Sequence, residues 1–207
     1  MDLFRNAEES HAHSLKTLDL LFLYDDFMDN IEVVADMGCG SGLDTLWWAT
    51  RETRDDPPEP HNYLCYAIDK NTQWVQDNQD IVQLENVKII QGDFESRLIP
   101  RQIDLLWCHN SFQYAINPLN TLRTWNENMN INGMMILTVP MYQSYQYNRL
   151  KTRGVDYCYY SYNICNLMYM LAVSGLDCRE CYFYMKENSP WISAAAYKSH
   201  EPMDPEK

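Results

Sequence analysis

The densest chemical signal in the chain is Asp36-Met37-Gly38-Cys39-Gly40-Ser41-Gly42, which directly follows a short, β-branched apolar run at 31–35. Closely spaced glycines let backbone approach a ligand where side chains would block it, and a turn at a strand's carboxyl end is where open α/β sheets bind ligands. Asp69 closes the next apolar run, in Ala67-Ile68-Asp69-Lys70, where a carboxylate can accept from both hydroxyls of a ribose. Two further runs end in Gln91-Gly92-Asp93-Phe94 and in Leu106-Trp107-Cys108-His109-Asn110-Ser111-Phe112-Gln113-Tyr114. His109 stands just past a strand end and is the candidate general base, with a role in shaping the pocket as the alternative. Each acid taken alone also reads as a surface carboxylate, and Asp69 as a helix cap.

These residues need elements that bring them to one edge. Leu15, Leu18, Leu21 and Phe22 recur at helical spacing, which predicts an amphipathic helix over 10–27. His11 and His13 precede its apolar stripe and read as exposed side chains, with folding over the site as the alternative. Strands are predicted at 31–35, 63–68, 87–90, 103–108 and 134–139, separated by helices at 43–53, 72–82 and from Pro118 to about residue 130, stopping at Gly133. Asn117-Pro118 has the form of a helix cap followed by proline at the first helical position. The acid- and proline-rich stretch 55–60 predicts a surface loop. A helix at 164–173 and two late strands at 181–185 and 192–197 complete the pattern, the strands pairing as an antiparallel hairpin. Strands alternating with helices imply right-handed crossovers and a mostly parallel sheet. The reading is one domain over 1–200: an N-terminal helix to 30, a ligand-binding core at 31–140, a tyrosine-rich lid at 141–162, a C-terminal helix and hairpin at 163–200, and a tail at 201–207.

A nicotinamide-type fingerprint wants glycine or alanine at its third slot, and Leu43 occupies it, which weakens an oxidoreductase reading. The segment Asp36 to Gly42 instead resembles the first motif of class I S-adenosylmethionine-dependent methyltransferases. The resemblance implies that Gly38, Cys39, Gly40 and Gly42 line the methionine and ribose portion of the cofactor, with Asp36 orienting its amino group. Asp69, followed by Lys70, matches the family's ribose-binding acid. Gly92, Asp93 and Phe94 resemble the third motif, in which Asp93 accepts from the adenine amino group and Phe94 borders the ring. The stretch from Leu106 through Tyr114 is similar to the segment of small-molecule methyltransferases that passes the cofactor and reaches the acceptor, which implies a cofactor contact for His109. The implied fold is a Rossmann-like α/β sheet of seven mostly parallel strands with helices on both faces, the last strand antiparallel and inserted beside the fifth. Gln113, Tyr114 and Tyr142 are acceptor contacts by position, and the tyrosines of 142–162 form either an acceptor lid or packing against the sheet.

Composition narrows the acceptor. The formal charge is −13, with 16 Lys and Arg against 29 Asp and Glu and no basic run. Gripping a nucleic-acid backbone takes clustered cations, so nucleic acid is disfavoured; a small molecule or a protein side chain remains, and the resemblance favours the small molecule. The acid-or-asparagine, Pro-Pro, aromatic motif of amino-methylating DNA enzymes is replaced by His109-Asn110-Ser111-Phe112, and Cys108 follows Trp107 rather than proline. No acidic pair marks a catechol-type metal site. Cys178 and Cys181 have the spacing of one metal knuckle without a second, and two ordinary thiols are the expected reading. The odd count of seven cysteines, the lack of a basic and apolar leader at the start of the chain and of a 20-residue apolar span predict a reduced, cytoplasmic protein. A cofactor-binding protein silent in catalysis is the competing class, and oligomeric state is not legible.

Overall fold

The structure, a computed structural model, describes residues 7–21, 30–52, 57–140, 160, 162–184 and 191–201. Tyr142, most of the expected lid, the tip of the late hairpin and the tail beyond Glu201 lie outside them. The sheet has seven strands in the order β3-β2-β1-β4-β5-β7-β6. These are β1 Val33–Met37, β2 Leu64–Asp69, β3 Val87–Gln91, β4 Ile103–His109, β5 Met129–Pro140, β6 Asp177–Tyr184 and β7 Trp191–Tyr197. β1 pairs in parallel with β2 and β4, while β7 runs antiparallel between β5 and β6. This is the Rossmann-like arrangement expected from the sequence, including the inserted antiparallel strand.

The central strands read as continuous apolar runs because both faces are covered. Val34, Ala67, Leu105, Trp107 and Ile136 face one layer, packed with Trp48, Val75 and Ile81. Those three belong to helices α2 (Leu43–Ala49), α3 (Gln73–Gln76) and α4 (Gln79–Val82). Ala35, Ile68, Leu106, Cys108 and Leu137 face the other, packed with Leu122 and Trp125 of α5 (Pro118–Asn128) and Leu167 and Leu171 of α6 (Ile164–Val173). Helix α1 (Ala7–Leu21) joins the first layer through Leu15. Each large apolar side chain buried this way contributes about 1.5–3 kcal/mol.

The elements depart from the sequence reading at several of their ends; β6, for example, starts at Asp177 rather than at 181. The helix expected at 72–82 is broken into α3 and α4, because Asn78 leaves helical geometry and its side chain accepts from Asp80 N. The helix expected to reach residue 130 ends at Asn128, and β5 starts at Met129. Met129 already pairs with Ile103, and a bulge carries the register across to Leu105 and Met134. Gly133 is therefore a strand residue at a close backbone approach: a Cβ there would stand 2.8 Å from Asn130 O and 3.0 Å from Ile103 O. Helix α2 stops at Ala49 rather than 53, where Glu52 bridges Pro60.

Candidate functional site

A cleft of about 670 Å³ opens at the carboxyl ends of β1, β2 and β4. Its floor is the turn after β1, where Gly38, Gly40 and Gly42 all have positive φ (80°, 54° and 78°). Gly38 N and Cys39 N donate to Ile68 O at 2.8 and 3.0 Å, pinning the turn to β2. A Cβ on Gly38 would fall 2.3 Å from Ser111 Oγ, and one on Gly42 2.4 Å from Ile81 Cδ1, so glycine is required by both backbone and space. At Gly40 nothing lies within 4 Å of that position.

Asp69 faces this turn. Its Oδ2 accepts from Gly40 N at 3.0 Å and its Oδ1 from Asn71 N at 2.9 Å, which leaves lone pairs on both oxygens. Lys70 Nζ pairs with Asp93 Oδ2 at 3.1 Å across the mouth. Phe94 borders the cleft with its ring 5.8 Å from that of Trp125, whose Nε1 donates to Phe94 O. The indole of Trp74, 62% exposed, lines the same end.

The opposite end is built around Asp44, in the first turn of α2. Trp107 Nε1 donates to its Oδ2 at 2.9 Å, and His11 Nδ1 (2.5 Å) and Ser14 Oγ (2.6 Å) donate to its Oδ1. His13 Nδ1 stands 3.0 Å from His109 Nε2, and the His109 ring stacks along Trp107 at 6.2 Å. Helix α1 is held there by Thr17, whose hydroxyl meets Ser193 Oγ, itself bonded to Thr138. His11 and His13 thus lie within α1 and turn inward, contrary to the expectation of exposed side chains. Their partners sit 33 and 96 positions away, beyond the reach of any local pattern.

Of the residues singled out from the sequence, Asp36, Gly38, Cys39, Gly40, Asp69, Lys70, Phe94, His109 and Tyr114 line the cleft. Gly42, Gly92 and Asp93 flank it: Gly92 N donates to Asp69 O, and Asp93, paired with Lys70, also accepts from Glu95 N at its Oδ1. Gln113 is buried and donates to Asn110 O and Oδ1 rather than facing the cleft. Asp44 and Trp74 were missed. An acid directly after the glycine turn reads as an ordinary first-turn helix acid, and Trp74 carries no motif. Cys178 is buried, with its sulfur 3.9 Å from Met168 O, and the Cys181 side chain lies outside the described residues.

Burial sets the protonation states. The Asp36 carboxyl, 3% exposed, is pushed well above the usual range by burial and by the charges of Asp44 and Asp69, with Thr45 Oγ1 opposing through its hydrogen bond. His13 and His109 are lowered to about 4, chiefly by burial, so both are neutral at pH 7. Burial also drives the thiols of Cys39 and Cys108 far above their ordinary value, which leaves neither as a nucleophile.

The match to a curated relative, malonyl-(acyl-carrier protein) O-methyltransferase 2 of Coxiella burnetii, is 25% identical and spans 53% of this chain and 42% of that one. An N-methyltransferase of Bradyrhizobium japonicum, NodS, solved with S-adenosylhomocysteine, superposes with a TM-score of 0.64 at 12% identity, covering 95% of this chain and 90% of that one. A protein of Galdieria sulphuraria, provisionally named a sarcosine dimethylglycine methyltransferase, gives a TM-score of 0.69 at 12% identity over 92% and 87% of the two chains. At such identities the two structures establish the fold. The family model described as a methyltransferase domain matches residues 29–181, and the chain belongs to the class I S-adenosylmethionine-dependent methyltransferase family.

Proposed function

We propose that this protein transfers a methyl group from S-adenosylmethionine to a small-molecule acceptor. The residues present fit the cofactor. The space left by the missing Cβ of Gly40 opens beside Asp69, whose two oxygens keep acceptor capacity for the ribose hydroxyls. In this reading Gly38 and Gly40 line the methionine and ribose portion, Asp36 orients the amino group, and Asp93 and Phe94 meet the adenine. When bound, the cofactor supplies a methyl on a sulfonium, already a good leaving group. The protein's task is positioning, worth up to about 7–11 kcal/mol when an acceptor is held in line. His109 and Tyr114 border the acceptor side.

One observation carries the proposal: a single cleft is lined both by the ribose-competent carboxylate of Asp69 and by the hydrogen-bonded imidazoles of His11 and His109. The net charge of −13 supports a small acceptor over nucleic acid. Unpaired thiols at Cys39, Cys65 and Cys108 support a reducing, cytoplasmic setting. Among the described residues no helix is long and apolar enough to cross a membrane. The test is transfer of labelled methyl from S-adenosylmethionine to a deproteinised metabolite extract and, separately, to total RNA. Label in the metabolite fraction supports the proposal, and label confined to RNA overturns the acceptor class.

A further inference from the structure

The side chain best placed to move a proton in this cleft is His11, whose role the sequence left open. It lines the cleft, with 22% of its side chain exposed, as does Asp44 beside it. Burial alone would raise the Asp44 carboxyl, but hydrogen bonds from His11, Ser14 and Trp107 and the nearby His109 hold it below the usual range. An ionised carboxylate only accepts, so the proton of His11 sits on Nδ1 and the lone pair on Nε2. Among the described residues Nε2 makes no hydrogen bond. His109, by contrast, turns its Nε2 to His13 at 3.0 Å and is lowered to about 4, a poor proton acceptor near neutrality.

Resting on the methyl-transfer reading above, we propose that His11, oriented by Asp44, is the base that takes the proton of the acceptor, which is accordingly a hydroxyl or an amine rather than a carboxylate. The acceptor's lone pair forms the new bond to the methyl carbon as the carbon–sulfur pair stays with sulfur, and the acceptor's proton passes to His11 Nε2. It leaves to water with product release. Asp44 is a positioning residue: it fixes the tautomer and aims the ring.

The test uses the labelled-methyl assay with the full chain. His11→Asn lowers kcat by about 10²-fold or more, leaves S-adenosylhomocysteine affinity within about threefold, and is partly rescued by added imidazole. Asp44→Asn lowers kcat with the KM for S-adenosylmethionine unchanged. Carbethoxylation of folded wild type by diethyl pyrocarbonate, mapped by peptide mass spectrometry, reaches His11 before His109 and abolishes transfer. An unimpaired His11→Asn enzyme, a carboxylate acceptor, or prior reaction at His109 overturns the inference and leaves methyl transfer standing. Wild type that binds S-adenosylhomocysteine yet labels no metabolite removes the methyl-transfer reading, and this inference with it.

Discussion

Burying a neutral imidazole beside the cleft makes the fold sensitive to acid in a way that one substitution isolates. His109 is 8% exposed, and the fold lowers its imidazole to about 4 from the ordinary 6.5. The main cause is burial; the Asp44 charge opposes it, and His13 and His11 add to it. A histidine lowered in this way binds fewer protons folded than unfolded. Its neutral form is no burden above about pH 6.5, and stability drains away as the pH falls from there toward 4. Between about pH 7.5 and pH 5, His109 alone removes about 2 kcal/mol. His13 has the same folded value but is less buried and shares a hydrogen bond with His109, so it adds less. For a chain of this size about 2 kcal/mol moves Tm by about 4–8 °C. Other groups titrate over the same window, so the informative quantity is the difference between wild type and His109→Asn, whose side chain carries no charge at either pH. Calorimetric melts of the two proteins at both pH values should show the wild type losing about 4–8 °C more than the variant. Parallel losses would mean that His109 is solvated in the folded protein, and the reasoning from its burial would fail.

Asp36 runs the other way. Its raised carboxyl gives stability that is full below the ordinary carboxylate range and lost as pH rises, so Asp36→Asn should raise Tm at pH 7 while Thr45 Oγ1 keeps an acceptor. Paired melts at neutral pH check this, and an unchanged or lower Tm counts against the burial argument. Gly42→Ala should cost about 1–3 kcal/mol in urea unfolding, since it forces a positive φ on alanine and drives its Cβ into Ile81 and Val75. If the exposed Trp74 indole stacks on the proposed adenine, Trp74→Ala should weaken S-adenosylhomocysteine roughly tenfold and abolish part of the fluorescence change on binding.

The parallel strands and the glycine turn were legible because both depend on local pattern, while the antiparallel strand beside the fifth was expected only from the family resemblance. Fully buried parallel strands read as unbroken apolar runs, and the positive-φ turn at Gly38 to Gly42 announces itself by residue type. The end of the cleft that includes His11 was not legible. Asp44 gathers Trp107, Ser14 and His11 from β4 and α1, so its meaning lies in contacts that no periodicity reports. Gly133 misled for a related reason. A glycine after a helix normally marks its end, but here it makes room for the carbonyl oxygens of Ile103 and Asp104 within a bulged strand pair. Asn78 split a helix through its own side chain, a choice that apolar spacing across 72–82 does not encode.

The proposed function requires that the cleft bind S-adenosylmethionine through Asp69. Isothermal titration of purified protein with S-adenosylmethionine, S-adenosylhomocysteine and NAD, beside Asp69→Ala, tests it most directly. Micromolar binding of both sulfur nucleotides is expected, none of NAD, and a loss of about tenfold or more in the variant, as removing an acceptor for two hydroxyls requires. Well-folded wild-type protein that binds neither sulfur nucleotide, or an Asp69→Ala variant that binds them as tightly as wild type, would contradict it.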